Sequence, residues 1–296
     1  MNNPIIMHVN YCEQGQTLEE MCRKAVSWGF DGIEFRRVSK PLGYDNQEKY
    51  LDDMAKAVEV SGLKYPIIGG PGADLMQADA DKRRKEVDAY INFFSSALKR
   101  FPLTVVNAMS GSLLNQDKNL PYGNYQLHGS FIATDDQWKH ATEGYKILGK
   151  FAEENNFKFA FESHMCYIHD IPQAAKKLTD MIDSPAVGVN LDYGNAVYFE
   201  AKNILPIGQT ISHLGKSLFY LHLKNSIATP GTDNKRMPTA LADGEINHRE
   251  YLRHVKKSGF NGPICIEAPR AGDREWYARK DLEYTKSVIA DLVMEK

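Results

Sequence analysis

The sequence predicts a closed (β/α)8 barrel, built as a single domain over residues 1–296. Two observations carry that expectation. Apolar runs that read as buried strands alternate with helix-like segments eight times along the chain. Strands separated by helices pair in parallel through right-handed crossovers, and eight such units in 296 residues suit one barrel. The second observation is positional: four runs in the second half each end in a side chain that binds metals well. The runner-up architecture is a doubly wound open sheet. No GxGxxG follows the first run, and Gly69-Gly70-Pro71-Gly72 lacks the spacing of a phosphate loop, so it reads as a turn after the third strand.

The strands are expected at 5–11, 32–37, 64–69, 103–109, 158–164, 187–193, 218–224 and 263–269. Thr17-Leu18-Glu19-Glu20 opens the first helix with a capping-box pattern, in which the threonine side chain and the glutamate three residues later cap each other's backbone. The remaining helices are expected at 45–60, 80–99, 135–154, 171–182, 203–216, 248–258 and 274–293. Two connections are long, 110–134 and 226–247, and both follow strand C-termini, where barrel enzymes build their sites. The first carries Tyr122, Tyr125 and Phe131 and is expected to form an ordered flap over the site.

Composition narrows the function classes. The formal net charge is -2, and the nearest basic block, Lys82-Arg83-Arg84-Lys85, reads as a solvated helix face, so a nucleic-acid partner is not expected. No apolar stretch approaches the ~20 residues of a membrane span, and no membrane partner is expected. Met1-Asn2-Asn3-Pro4 lacks the basic and apolar regions of a signal peptide. Cys12, Cys22, Cys166 and Cys265 form no CxxC pair and read as reduced thiols, which points to a cytoplasmic location. Assembly into a homo-oligomer stays open.

The four strand ends carry the chemistry. Phe157 to Glu162, Val187 to Asp192, Leu218 to His222 and Pro263 to Glu267 are apolar runs closed by Glu162, Asp192, His222 and Glu267. A charged group at the end of a buried strand is costly without a partner. Three carboxylates and an imidazole on four consecutive parallel strands imply one shared partner, a divalent cation. The oxygen-rich set with one nitrogen suits Mn²⁺ or Mg²⁺, with Co²⁺ and Zn²⁺ as alternatives.

Several segments resemble the xylose isomerase-like TIM barrels, the sugar phosphate isomerase/epimerase superfamily. They are Gly29-Phe30-Asp31-Gly32-Ile33-Glu34, Phe159-Ala160-Phe161-Glu162-Ser163-His164, Val187-Gly188-Val189-Asn190-Leu191-Asp192, Tyr220-Leu221-His222-Leu223-Lys224-Asn225 and Gly262-Pro263-Ile264-Cys265-Ile266-Glu267. The resemblance covers nearly the whole chain. It implies that Glu162, Asp192, His222 and Glu267 hold one Mn²⁺-like ion, and that Glu162 and Glu267 are also the catalytic acid/base pair. The implied reaction is isomerisation or epimerisation of a keto sugar or related polyol through a metal-stabilised enediolate. The alternative is a lyase, a dehydratase or β-eliminating enzyme starting from the same enolate.

Further residues are expected to bind substrate. His164 lies two residues after Glu162, so strand alternation sends both side chains the same way, and members resembling 3-dehydroshikimate dehydratase also carry Glu-x-His here. Asn107 ends the fourth run, Glu34 and Arg36 end the second, Lys224 follows His222 by two, and Arg270 follows Glu267. His8 and Asn10 end the first run, where a core or rim role is the equal alternative. One departure stands out: many relatives carry Asp-x-Gly-His on strand six, whereas this chain has Asp192-Tyr193-Gly194-Asn195. An amide at 195 binds hydroxyls but carries no proton. That weakens transfer from the simple ketose epimerases and from the DNA-repair endonuclease branch, which needs extra histidines.

Overall fold

A computed structural model describes residues 1–12, 15–37, 43–121, 123–231, 235–268 and 270–295. Its strands are β1 (Ile5–His8), β2 (Gly32–Arg36), β3 (Tyr65–Gly69), β4 (Val105–Ala108), β5 (Lys158–Glu162), β6 (Val187–Asp192), β7 (Leu218–Leu223), β8 (Asn225–Ala228), β9 (Arg236–Thr239) and β10 (Ile264–Ile266). All except β8 and β9 close into a barrel in the order β1-β10-β7-β6-β5-β4-β3-β2, and every neighbouring pair is parallel. The helices are α1 (Leu18–Trp28), α2 (Gln47–Ser61), α3 (Ala80–Leu98), α4 (Asp135–Glu154), α5 (Pro172–Ile182), α6 (Tyr193–Ala196), α7 (Ile207–Leu214), α8 (His248–Ser258) and α9 (Arg274–Met294).

The helix ends follow their local chemistry. Thr17 and Glu20 cap each other at the start of α1, as the sequence predicts, and Thr134 with Gln137 repeats the device on α4. Gly29 ends α1 at φ 95°, a left-handed conformation that glycine adopts without a side-chain penalty. Pro206 supplies no backbone N–H and begins α7 late, so the helix expected over 203–216 is shortened to Ile207–Leu214, with 3-10 turns on both sides. The first strand stops at His8 instead of continuing to 11. There the His8 ring accepts the Asn10 N–H at 3.1 Å and turns the chain into a 3-10 turn, Val9–Tyr11.

The barrel interior is filled in layers. Ile6, Ile67, Val105, Ala160, Tyr220 and Cys265 form one apolar cluster, all buried. Two residues further along the same strands stand His8, Gly69, Asn107, Glu162, His222 and Glu267. The strand period of two places this polar set above the apolar plug, on the same inward side, at the C-terminal mouth. A second, larger cluster packs the outer strand faces against the helices, with Tyr90, Phe94, Phe157 and Phe159 in mutual ring contact.

The described parts of the two long connections are tied down by specific contacts. Ser112 forms an antiparallel bridge to Tyr167, and the Leu113 N–H donates to the Cys166 carbonyl at 2.7 Å. Tyr125 then meets the Tyr198 ring edge-on with centroids 5.8 Å apart, and Phe131 stacks on Phe199 at 5.9 Å. Tyr122 lies outside the described residues. In the second connection β8 and β9 pair as an antiparallel hairpin outside the barrel.

Candidate metal centre and active site

Each of the four strand-end residues reaches one place. Glu162 is the last residue of β5, Asp192 the last of β6, His222 the penultimate residue of β7, and Glu267 directly follows β10. One ligand atom from each lies within 4.8 Å of all the others. Glu162 and Asp192 are buried at 4% and 0% exposure, and His222 at 0%. The Asp192–His222 register pair and the Cys265–His222 pair set this convergence through the backbone.

Hydrogen bonds orient every member. His222 Nδ1 stands 2.9 Å from Glu267 Oε2 and 3.9 Å from Glu162 Oε2. Its Nε2 stands 2.8 Å from Glu34 Oε2. Asn107 Nδ2 donates to Glu162 Oε2 at 2.7 Å and to Glu34 Oε1 at 2.9 Å. Asn10 Nδ2 donates to Glu267 Oε1 at 3.2 Å. Lys224 Nζ is 2.7 Å from Asp192 Oδ2 and 3.6 Å from Glu267 Oε2.

The electrostatics follow from burial and crowding. Burial pushes the Asp192 carboxyl up to about 6 although Lys224 opposes it. Burial also acts against Glu267, but the charges of Lys224, His8 and His222 outweigh it and hold that carboxyl well below the usual range. His222 is likewise desolvated, yet the Glu34 and Glu162 carboxylates raise it well above the ordinary histidine value. Lys224, against its desolvation, is raised by Asp192 and Glu267 and stays charged.

These residues fit a divalent ion. Three carboxylates and one imidazole converge from four strands, a donor set for a hard or borderline cation. Glu34, His222 and Cys265 also come within 4.8 Å of one another. Burial raises the Cys265 thiol well above its usual value, so it keeps its proton and makes a poor ligand.

Beside the cluster opens a cavity of about 240 Å³, with His164, Asn195, Tyr198, Lys224, Ser226 and Glu267 among its walls. A larger cavity of about 630 Å³ lies between residues 239–243 and α9 and is lined by none of the four strand-end residues.

A family model described as "Xylose isomerase-like TIM barrel" matches residues 22–288. The chain belongs to the xylose isomerase-like TIM barrel family. Among curated relatives, the inosose dehydratase of Clostridium perfringens is 22% identical over 173 residues, which is 53% of this chain and 57% of the relative. The chain thus spans little more than half the length of that relative. The inosose dehydratase of Bacillus licheniformis is 22% identical over 275 residues, 88% of this chain and 83% of the relative. Among solved structures, a xylose isomerase-like TIM barrel protein from Mycobacterium smegmatis in complex with magnesium superposes with a TM-score of 0.74 at 19% identity, covering 98% of this chain and 97% of the other. The D-psicose 3-epimerase from Clostridium cellulolyticum H10, solved with D-tagatose, gives 0.74 at 18% identity, covering 97% and 99%. At these identities the structures share the fold. No described helix is long and apolar enough to cross a membrane.

Within the family frame, the sequence-predicted substrate residues separate into two groups. His164, Asn195 and Lys224 line the cavity. Glu34 does not: at 1% exposure it sits behind His222, and Tyr220 Oη donates to its Oε2 at 2.7 Å. Asn107, 3% exposed, bridges Glu34 and Glu162. Arg36 donates to Asn10 Oδ1 at the rim. Arg270 is turned away from the cavity. Its Nη1 donates to Thr239 O, Ala268 O and Asp281 Oδ2, and its guanidinium lies 4.2 Å from the Tyr277 ring centroid. The buried Asp281 carboxylate draws it to the outer side of the segment after β10.

Residues not anticipated from sequence complete the site. Asn190, fully buried, donates through Nδ2 to Asn107 Oδ1 at 3.1 Å. Tyr220 supports Glu34, and Tyr198 and Ser226 wall the cavity. The signal for Asn190 and Tyr220 was present, since each lies two residues before a ligand-type residue on its own strand and therefore faces the same way.

Proposed function

We propose that this chain is a divalent-metal-dependent isomerase or epimerase of a keto sugar or related polyol, with Glu162 and Glu267 as its proton carriers. The convergence of Glu162, Asp192, His222 and Glu267 on one point, with Glu267 on the wall of the adjoining cavity, is the observation that carries the reading. Those four residues would hold the ion, with Mn²⁺ the first candidate and Mg²⁺, Co²⁺ or Zn²⁺ the others. A divalent ion bound there would stabilise the negative charge that develops on substrate oxygen as the α-proton leaves.

The chain's own groups supply the proton transfers. Glu267 borders the cavity, and the cations around it keep it ionised at neutral pH, the state a proton acceptor needs. Two barrel strands, β6 and β7, separate it from Glu162, so the two carboxylates approach a ligand from different directions. In this reading one removes the proton next to the carbonyl and the other returns a proton elsewhere. Lys224 Nζ holds Asp192 and Glu267 in place and offers a fixed positive charge to substrate oxygen. Asn195 and Ser226 provide polar contacts at the cavity wall, and Tyr198 provides an apolar one.

A second reading, a carbon–oxygen lyase, is supported by His164 on the cavity wall and by relatives named as inosose dehydratases. The first proton transfer is the same. His164 then gives a proton to a departing hydroxyl instead of a carboxylate reprotonating carbon.

Incubation of the Mn²⁺-loaded protein with keto sugars and keto-cyclitols in D₂O tests both. Deuterium entering at one carbon with the skeleton retained supports the isomerase or epimerase. Loss of water supports the lyase. Absence of both exchange and product across the panel overturns the enolate chemistry.

A further inference from the structure

We infer that Asn195 is the positioning residue of the ion site: it spaces the Glu162 and Asp192 carboxylates and fixes which way each faces. The inference rests on the reading of those two residues as ligands, and it assigns Asn195 a task other than contacting substrate hydroxyls.

The geometry is unusual for a single amide. Asn195 Nδ2 lies 3.1 Å from Glu162 Oε1, 3.0 Å from Asp192 Oδ2 and 3.0 Å from the Ser163 carbonyl. Its backbone N–H donates to Asp192 Oδ1 at 3.1 Å. The two Nδ2 hydrogens are shared among these three acceptors, so with its backbone N–H this one residue reaches both oxygens of Asp192 and one oxygen of Glu162, while Asn107 holds the other oxygen of Glu162. Asn195 is 1% exposed, so little water competes for these bonds. The residue before it leaves no slack: a Cβ on Gly194 would meet Lys224 Cγ at 2.3 Å.

The residue type matters chemically. Two carboxylates at the ends of adjacent strands repel, and burial strengthens the repulsion. A neutral donor between them relieves it without adding a charge and without a protonation state that changes with pH. An imidazole has one donor per nitrogen and a different reach. A carboxylate would place a third anion between the two. The amide fixes the carboxylate planes before an ion arrives, so less reorganisation accompanies binding. Fixed planes matter most to Mg²⁺, which demands near-ideal octahedral geometry, and less to more tolerant ions.

The test measures ion binding by calorimetry and by loss of the free Mn²⁺ electron paramagnetic resonance signal. It compares the parent protein with Asn195→Leu, which has similar volume and no donors, and with Asn195→Ala. Either variant that retains the parent's circular dichroism spectrum serves. The expected result is a loss of roughly 10–100-fold in Mn²⁺ affinity, the range for removing a partner of a metal ligand, with a larger loss for Mg²⁺. Unchanged affinity for both ions, or an equal loss for both, overturns the positioning role while leaving the four-ligand site standing. A parent protein that binds neither ion overturns the site itself and the inference with it.

Discussion

Glu34 stands behind His222, with its Oε2 2.8 Å from Nε2 on the side of the ring away from Glu267. A carboxylate only accepts, so the proton on that side of the imidazole belongs to Nε2. By the same rule Nδ1 donates to Glu267 Oε2, so the imidazole is held doubly protonated. Nδ1, facing Glu162 and Glu267, is the nitrogen that would give up its proton to an ion, while the Glu34 contact keeps the Nε2 proton and fixes the ring angle. Tyr220, Asn107 and His222 together hold Glu34 in position.

Glu34→Gln removes that charge while keeping nearly the same shape. Affinity for Mn²⁺ should fall by roughly 10–100-fold. Calorimetric titration checks this, and affinity equal to the parent's would show that Glu34 does not orient the ligand.

Glu267→Gln keeps one oxygen donor and removes a proton carrier. Turnover of a substrate found by the D₂O screen should drop by at least ~10²-fold, the low end of acid–base catalysis. If α-carbon exchange persists while product stops, Glu162 removes the first proton and Glu267 delivers the second. Unchanged turnover in both Glu267→Gln and Glu162→Gln would rule out the pair as proton carriers.

Arg270→Ala should act on stability rather than on substrate. The Arg270–Asp281 pair has side-chain exposures of 10% and 2%, and removing one partner of a buried pair costs about 3–5 kcal/mol. Chemical denaturation should show that loss, with KM nearly unchanged in whatever folded protein remains. A large KM increase with unaltered stability would return Arg270 to the substrate site.

Asp170 gives a pH signature. It is fully buried, its Oδ2 accepts the Ser130 N–H at 3.0 Å, and burial pushes its carboxyl from 3.8 up to about 7. Because folding raises this value, the native protein keeps a proton that the unfolded chain has released across that window. The contribution to stability is full below pH ~4 and is lost as pH rises through ~7. Thermal melts of the parent should therefore decline between pH 4.5 and 7.5 relative to Asp170→Asn, whose amide oxygen can still accept from Ser130. A constant difference across that range would contradict the assignment.

The sequence by itself determined the eight-strand alternation, the capping box at Thr17 and the common facing of Glu162, Asp192, His222 and Glu267. These are local properties: apolar runs, side-chain spacing and strand ends repeat along the chain at fixed periods, and a period of two decides which side of a strand a residue takes. The tertiary structure alone decided depth and partnership. Glu34, the middle residue of β2, and Glu162, the last of β5, both face inward, yet Glu34 lies behind the imidazole and Glu162 in the four-residue cluster, because barrel closure staggers the strands and sets each residue's height in the ring. Arg270 follows Glu267 by three residues but is drawn outward by Asp281 on α9, a partner that no local pattern reveals. The β8–β9 hairpin places Ser226 and Pro238 on the cavity wall. Asn195 comes to rest between two carboxylates for the same reason. Its amide, 33 residues along the chain from Glu162, finds that place only when β5 and β6 lie side by side and α6 folds back over their ends.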